Sequence, residues 1–99
     1  MKKRIQIVVR GNNVQRCGFR RAAVEMATNL NLTGIAMYVD HDVQIEIEGN
    51  TGTIEEFAAW ASIGPAECNI SSFEEQEIPV IGDSTFETIP GVVSSKKSA

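Results

Sequence analysis

Apolar residues fall at every second position near the start of the chain, where Ile5, Ile7 and Val9 alternate with Gln6 and Val8. That period predicts a strand over residues 4–10 with one buried face. Gly11-Asn12-Asn13 breaks the pattern as a loop does. From Phe19 the spacing changes: Phe19, Ala23, Met26, Ala27 and Leu30 lie on one face of a helix, ended by Asn31 to Gly34. Alternation then returns twice. One run sets Ile35, Met37 and Val39 on a face opposite Ala36, Tyr38 and Asp40; the next sets Val43, Ile45 and Ile47 inward and Gln44, Glu46 and Glu48 outward. The short turn Asp40-His41-Asp42 between them predicts a hairpin.

After the loop Gly49 to Gly52, Thr53-Ile54-Glu55-Glu56 reads as a capping box that opens a second helix, with Thr53 at its N-cap. Ile54, Phe57, Ala58 and Ala61 form its apolar stripe, and Gly64-Pro65 stops it. Residues 68–78 read as a fourth strand with weak alternation, and residues 86–89 as a short fifth. The order β-α-β-β-α-β, with strands apolar on one side, predicts an α+β ferredoxin-like sandwich: an antiparallel sheet with two helices on one face. One domain, residues 1–90, is expected, followed by a disordered tail over residues 91–99.

Charge sharpens this picture. Seven of the nine basic residues (Lys2, Lys3, Arg4, Arg10, Arg16, Arg20 and Arg21) precede every one of the thirteen acids. A cationic end on an acidic body fits a local site for a small anion better than nucleic acid, which would have to avoid the acidic remainder. The only aromatic residue on the central strands is Tyr38, too little for RNA stacking. No apolar run reaches the ~18 residues of a membrane span, and the N-terminus lacks a secretory h-region, so a cytoplasmic protein that keeps off membranes is expected. In that setting Cys17 and Cys68 are expected to be reduced thiols, the first in a loop and the second structural. With one histidine and no Cys-x-x-Cys pair, metal-ligand spacing is absent. His41 reads as a solvated turn residue and Trp60 as packing.

The segment with chemical content joins the first strand to the first helix: Gly11-Asn12-Asn13-Val14-Gln15-Arg16-Cys17-Gly18-Phe19-Arg20. A helix N-terminus offers unpaired N–H groups and the positive end of a dipole, and a loop curled over it can aim several amides at one anion. Arg20 in the first turn adds a planar guanidinium for phosphate oxygens. Gly18 allows close approach of the backbone. A plain connection with solvated arginines is the alternative on these grounds alone.

Gly11, then Val14-Gln15-x-x-Gly18-Phe19-Arg20, resembles the Gly-x-Val-Gln-Gly-Val-x-Phe-Arg signature of the acylphosphatase family. The resemblance continues through Leu30-x-Leu32-x-Gly34, Val43 to Gly49, Phe57-x-x-Trp60-x-x-x-Gly64-Pro65 and Phe86. It implies a hydrolase that cleaves the carboxyl-phosphate bond of small acyl phosphates without metal or cofactor, and the acidic exterior gives no reason to expect more than a monomer. Amides from Val14, Gln15, Arg16, Cys17, Gly18 and Phe19, with Arg20, would bind the phosphoryl group or inorganic phosphate. The family's water-positioning asparagine lies four residues beyond the glycine of the second strand; here that place holds Tyr38, either a catalytic replacement or a surface aromatic on the open face of the sheet. Arg16 replaces the second glycine of the signature, at about 1–2 kcal/mol if that place needs a positive φ. The loop is one residue longer and the hairpin one shorter. A catalytically inactive anion-binding or regulatory module on the same fold is therefore the alternative reading.

Overall fold

The computed structural model describes residues 1–94. Its elements are β1 (Lys2–Arg10), α1 (Phe19–Asn29), β2 (Thr33–Val39), β3 (Asp42–Asn50), α2 (Thr51–Ile63), β4 (Ser72–Ile78) and β5 (Phe86–Val93). The five strands form one sheet in the order β4-β1-β3-β2-β5. The first four pair antiparallel, but β5 runs parallel to β2, so the sheet is mixed and not purely antiparallel. The parallel pairing follows from the short segment after β4, which carries the chain across the sheet to its far edge.

β1 and β3 pair so that Ile5 faces Ile47, Ile7 faces Ile45 and Val9 faces Val43, and all six side chains are buried. α2 covers these strands through Ile54, Phe57 and Ala61, while α1 lies over β2 and β5 with Phe19, Ala23 and Ala27 inward. Trp60 packs against the rings of Phe19 and Phe57 and so ties the two helices together. Burying such side chains contributes roughly 1.5–3 kcal/mol each.

On β2 it is the face of Ala36 and Tyr38 that turns to the helices. Ala36 stands opposite Ile45 and is fully buried under the helices, and Tyr38 stands opposite Val43 on the same face. Ile35 and Met37 lie half-buried on the other side, beside Glu46 and Gln44. Both faces of this strand are apolar, so alternation alone could not choose between them. The pairing of Ala36 with buried Ile45 settles the choice.

α2 also begins earlier than the capping box predicts. β3 remains paired as far as Asn50, opposite Lys2, and the chain turns directly into the helix. There the Met1 carbonyl accepts from the Thr51 N–H at 3.0 Å, a bond that needs no help from Thr53. At the other end of the chain β5 extends to Val93, three residues into the expected tail. Residues 95–99 of that tail lie outside the described residues.

The face away from the helices carries a buried polar cluster. Arg4, 2% exposed, donates to Glu46 at 2.9 Å, Glu48 at 3.1 Å and Asp83 at 2.8 Å. Glu48, 1% exposed, also accepts from the Ile81 and Gly82 N–H groups, both at 2.9 Å. The outward alternation of Glu48 is as expected, yet the segment between β4 and β5 closes over it. Two of the early basic residues are thereby spent on internal pairs, since Arg10 bonds Glu74 and Asp42. Burial would raise the Glu48 carboxyl, but bonds from Ile81, Arg4 and Gly82 outweigh it and hold the pKa below the usual carboxylate range. A carboxyl lowered by folding stabilises the protein above its unfolded pKa, and that contribution is lost as pH falls through the folded value. We expect Glu48→Ala, which takes one of three carboxylates from Arg4 and leaves the Ile81 and Gly82 N–H groups without their acceptor, to lower stability by about 1–3 kcal/mol. Urea unfolding at pH 7 checks this, and the same titration at pH 3 should narrow the gap between variant and wild type.

Candidate active site

β1 ends at Arg10, and the next eight residues make a chain of turns before α1 begins. Gly11 is required here, because a Cβ would come within 1.9 Å of the Asn69 carbonyl oxygen. Gly18 occupies the N-cap position in the left-handed conformation, φ +82°, which a side chain would oppose. Arg16 does not have a positive φ, so the substitution for glycine there brings no backbone strain. The longer loop moves that demand onto Gly18.

Three ties hold the loop. The Gln15 side-chain amide donates to the carbonyls of Asp40 and Asp42 at 3.0 and 2.8 Å, fastening the loop to the β2–β3 hairpin. Asn13 donates to the Glu67 carbonyl and accepts from the Asn69 N–H, both at 2.8 Å. Cys17 and Cys68 form a disulfide, with Cα atoms 5.3 Å apart. The expectation of two reduced thiols is thus overturned: the fold brings residues 51 positions apart into bonding range.

Between these ties the Arg16 N–H bonds the Asn13 carbonyl at 2.9 Å, while the N–H groups of Val14, Gln15, Cys17, Gly18 and Phe19 have no intramolecular acceptor among the described residues. Val14 and Phe19 bury their side chains in the core, so each can offer only its backbone. A run of such donors beside the positive end of an 11-residue helix suits an anion. A hollow of about 270 Å³ is lined by Gly11 to Arg16 and by exposed His41.

Arg20 leaves the first turn of α1 towards the far side of the sheet. Its Nη1 donates to the Ile89 carbonyl of β5 at 3.0 Å, and its guanidinium carbon lies 3.9 Å from the centre of the Tyr38 ring. Tyr38 is therefore a half-buried partner of Arg20 on the helix face, and not a surface aromatic of the open face. The pair borders a cleft of about 720 Å³ with Gly18, Arg21, Val24 and Thr88. Sequence reasoning missed Asn13, the Ile89 carbonyl and the disulfide. Backbone carbonyls leave no mark in a sequence; Asn13, in a loop otherwise read for its glycines and arginines, was the one legible sign. Among the described residues no group of His, Cys, Asp and Glu could hold a metal ion, and no helix is long and apolar enough to cross a membrane.

Comparison with known proteins agrees with this geometry. A family model described as Acylphosphatase matches residues 5–88. The acylphosphatase of Lacticaseibacillus paracasei is 40% identical over 75 residues, 74% of this chain and 80% of that protein. An acylphosphatase structure from Coxiella burnetii superposes with TM-score 0.83 at 29% identity, over 89% of this chain and 93% of that one. Full-length HypF in its phosphate- and nucleotide-bound form superposes with TM-score 0.88 at 27% identity, over 96% of this chain but only 12% of that one.

The disulfide closes a long loop of chain, so its loss is expected to lower stability by roughly 2–4 kcal/mol. Urea unfolding of the wild type with and without a dithiol reductant measures this, with Cys17→Ser/Cys68→Ser as the control that should not respond to the reductant.

Proposed function

Because the chain belongs to the acylphosphatase family, we propose that it hydrolyses small acyl phosphates to a carboxylate and inorganic phosphate. The observation that carries this reading is the set of unpaired amides of Val14, Gln15, Cys17, Gly18 and Phe19, at the head of the helix that bears Arg20. The phosphoryl oxygens accept from these N–H groups, and Arg20 adds charge-assisted bonds. Water attacks phosphorus, the bond from phosphorus to the acyl oxygen breaks, and the carboxylate leaves with the electron pair while the water gives up a proton. Negative charge spreads over the phosphoryl oxygens as the bond loosens, and fixed donors stabilise it without having to reorganise. Orientation of the two reactants supplies the rest.

The chain spans most of the length of the Coxiella and Lacticaseibacillus proteins. The proposed enzyme acts as a monomer. No step calls for a cofactor or for nucleic acid. The Cys17–Cys68 disulfide is of a kind that persists in oxidising compartments, which weighs against the expected cytoplasmic setting. The alternative, an anion-binding module without turnover, is favoured by one observation: Tyr38 stands where the family carries an asparagine.

Steady-state hydrolysis of benzoyl phosphate tests the proposal. Arg20→Ala is expected to lower kcat/KM by about 10²–10³-fold and to abolish detectable phosphate binding. Turnover that survives this change would move the site away from the loop. Phosphate binding without turnover in the wild type would leave the anion-binding module.

A further inference from the structure

The partners of Arg20 differ in kind from what a carboxamide at position 38 could provide. The Tyr38 ring offers a π-face at 3.9 Å from the guanidinium carbon, while its hydroxyl has no hydrogen-bond partner among the described residues. The Ile89 carbonyl takes one N–H from a second direction, at 3.0 Å. A guanidinium has five N–H donors in a planar fork, so these two contacts fix its plane and leave most of its donors for an anion. A long side chain held in this way loses less freedom when it binds. Strand β2 also carries the Asp40 carbonyl at its turn, which receives Gln15, so the strand that supports the guanidinium also fastens the loop.

We propose that Tyr38 is a positioning residue: its ring, together with the Ile89 carbonyl, holds the Arg20 guanidinium in one orientation, so that Tyr38 governs phosphate affinity through Arg20. The ring does this, and no part of the role falls to the hydroxyl. The proposal rests on the reading of the loop and Arg20 as a phosphate site.

The experiment compares wild type, Tyr38→Phe and Tyr38→Leu by calorimetric titration with inorganic phosphate, by benzoyl phosphate kinetics, and by NMR of the Arg20 side-chain N–H groups. Tyr38→Phe keeps the ring and is expected to leave phosphate Kd and kcat within about twofold of wild type, with the ring-current shift of the Arg20 signals retained. Tyr38→Leu is expected to weaken phosphate about fivefold and to remove that shift. A tenfold fall in kcat for Tyr38→Phe at unchanged Kd would overturn the proposal, because the hydroxyl would then be acting on water. An unchanged Kd in Tyr38→Leu would overturn it equally. Should the leucine variant fail to fold, the phenylalanine variant and the wild-type Arg20 shift still decide. A wild type that binds no phosphate defeats the site reading itself, whereas failure in the variants alone defeats only the role of Tyr38.

Discussion

Everything at the site hangs from the pairing of β1 with β3. Three apolar pairs under the helices make this seam the driest part of the molecule, and it aims the end of β1 at the head of α1. β3 supplies the Asp42 carbonyl that receives Gln15, so the strand beside the loop also limits its movement. On the reverse face the same two strands hold Arg4 and Glu48, which clasp the crossover that leads to β5. β5 in turn delivers the Ile89 carbonyl to Arg20. A single seam thus sets both the loop and the distant strand that steadies the arginine.

An anion site built from backbone donors faces a contradiction. Its N–H groups must stay unpaired, yet unpaired backbone tends to collapse onto nearby acceptors. This chain resolves it with ties made by side chains: Gln15 on one flank, and Asn13 with the disulfide on the other. Each tie fixes the path of the loop while occupying few of its amides. Buried Val14 and Phe19 anchor the same stretch from below.

Much of this was legible before any coordinates. Ile5, Ile7 and Val9, like Val43, Ile45 and Ile47, alternate so cleanly that only one face can be buried, and Phe19 with Ala23 and Ala27 marks a helix by spacing alone. The loop around Gly18 and Arg20 was readable because glycine and arginine beside a helix start have few other uses. The buried face of β2 was not legible, because Ile35 and Met37 compete with Ala36 and Tyr38, and only pairing with Ile45 decides between them. The early start of α2 depends on Met1, fifty residues away in sequence. The stacking of Arg20 on Tyr38 and the joining of Cys17 to Cys68 are likewise products of the tertiary fold, carried by no local pattern.

The bond between Cys17 and Cys68 also changes how the chain is connected. It closes a ring that contains α1, β2, β3 and α2 and leaves β1, β4 and β5 outside as arms. Proteolysis meets this topology directly. A protease that cuts the exposed turn at Asp40-His41 opens the ring but releases no fragment, because the sulfur link still joins the two halves. The cut molecule gains one water and stays covalently joined until a reductant breaks the Cys17–Cys68 bond.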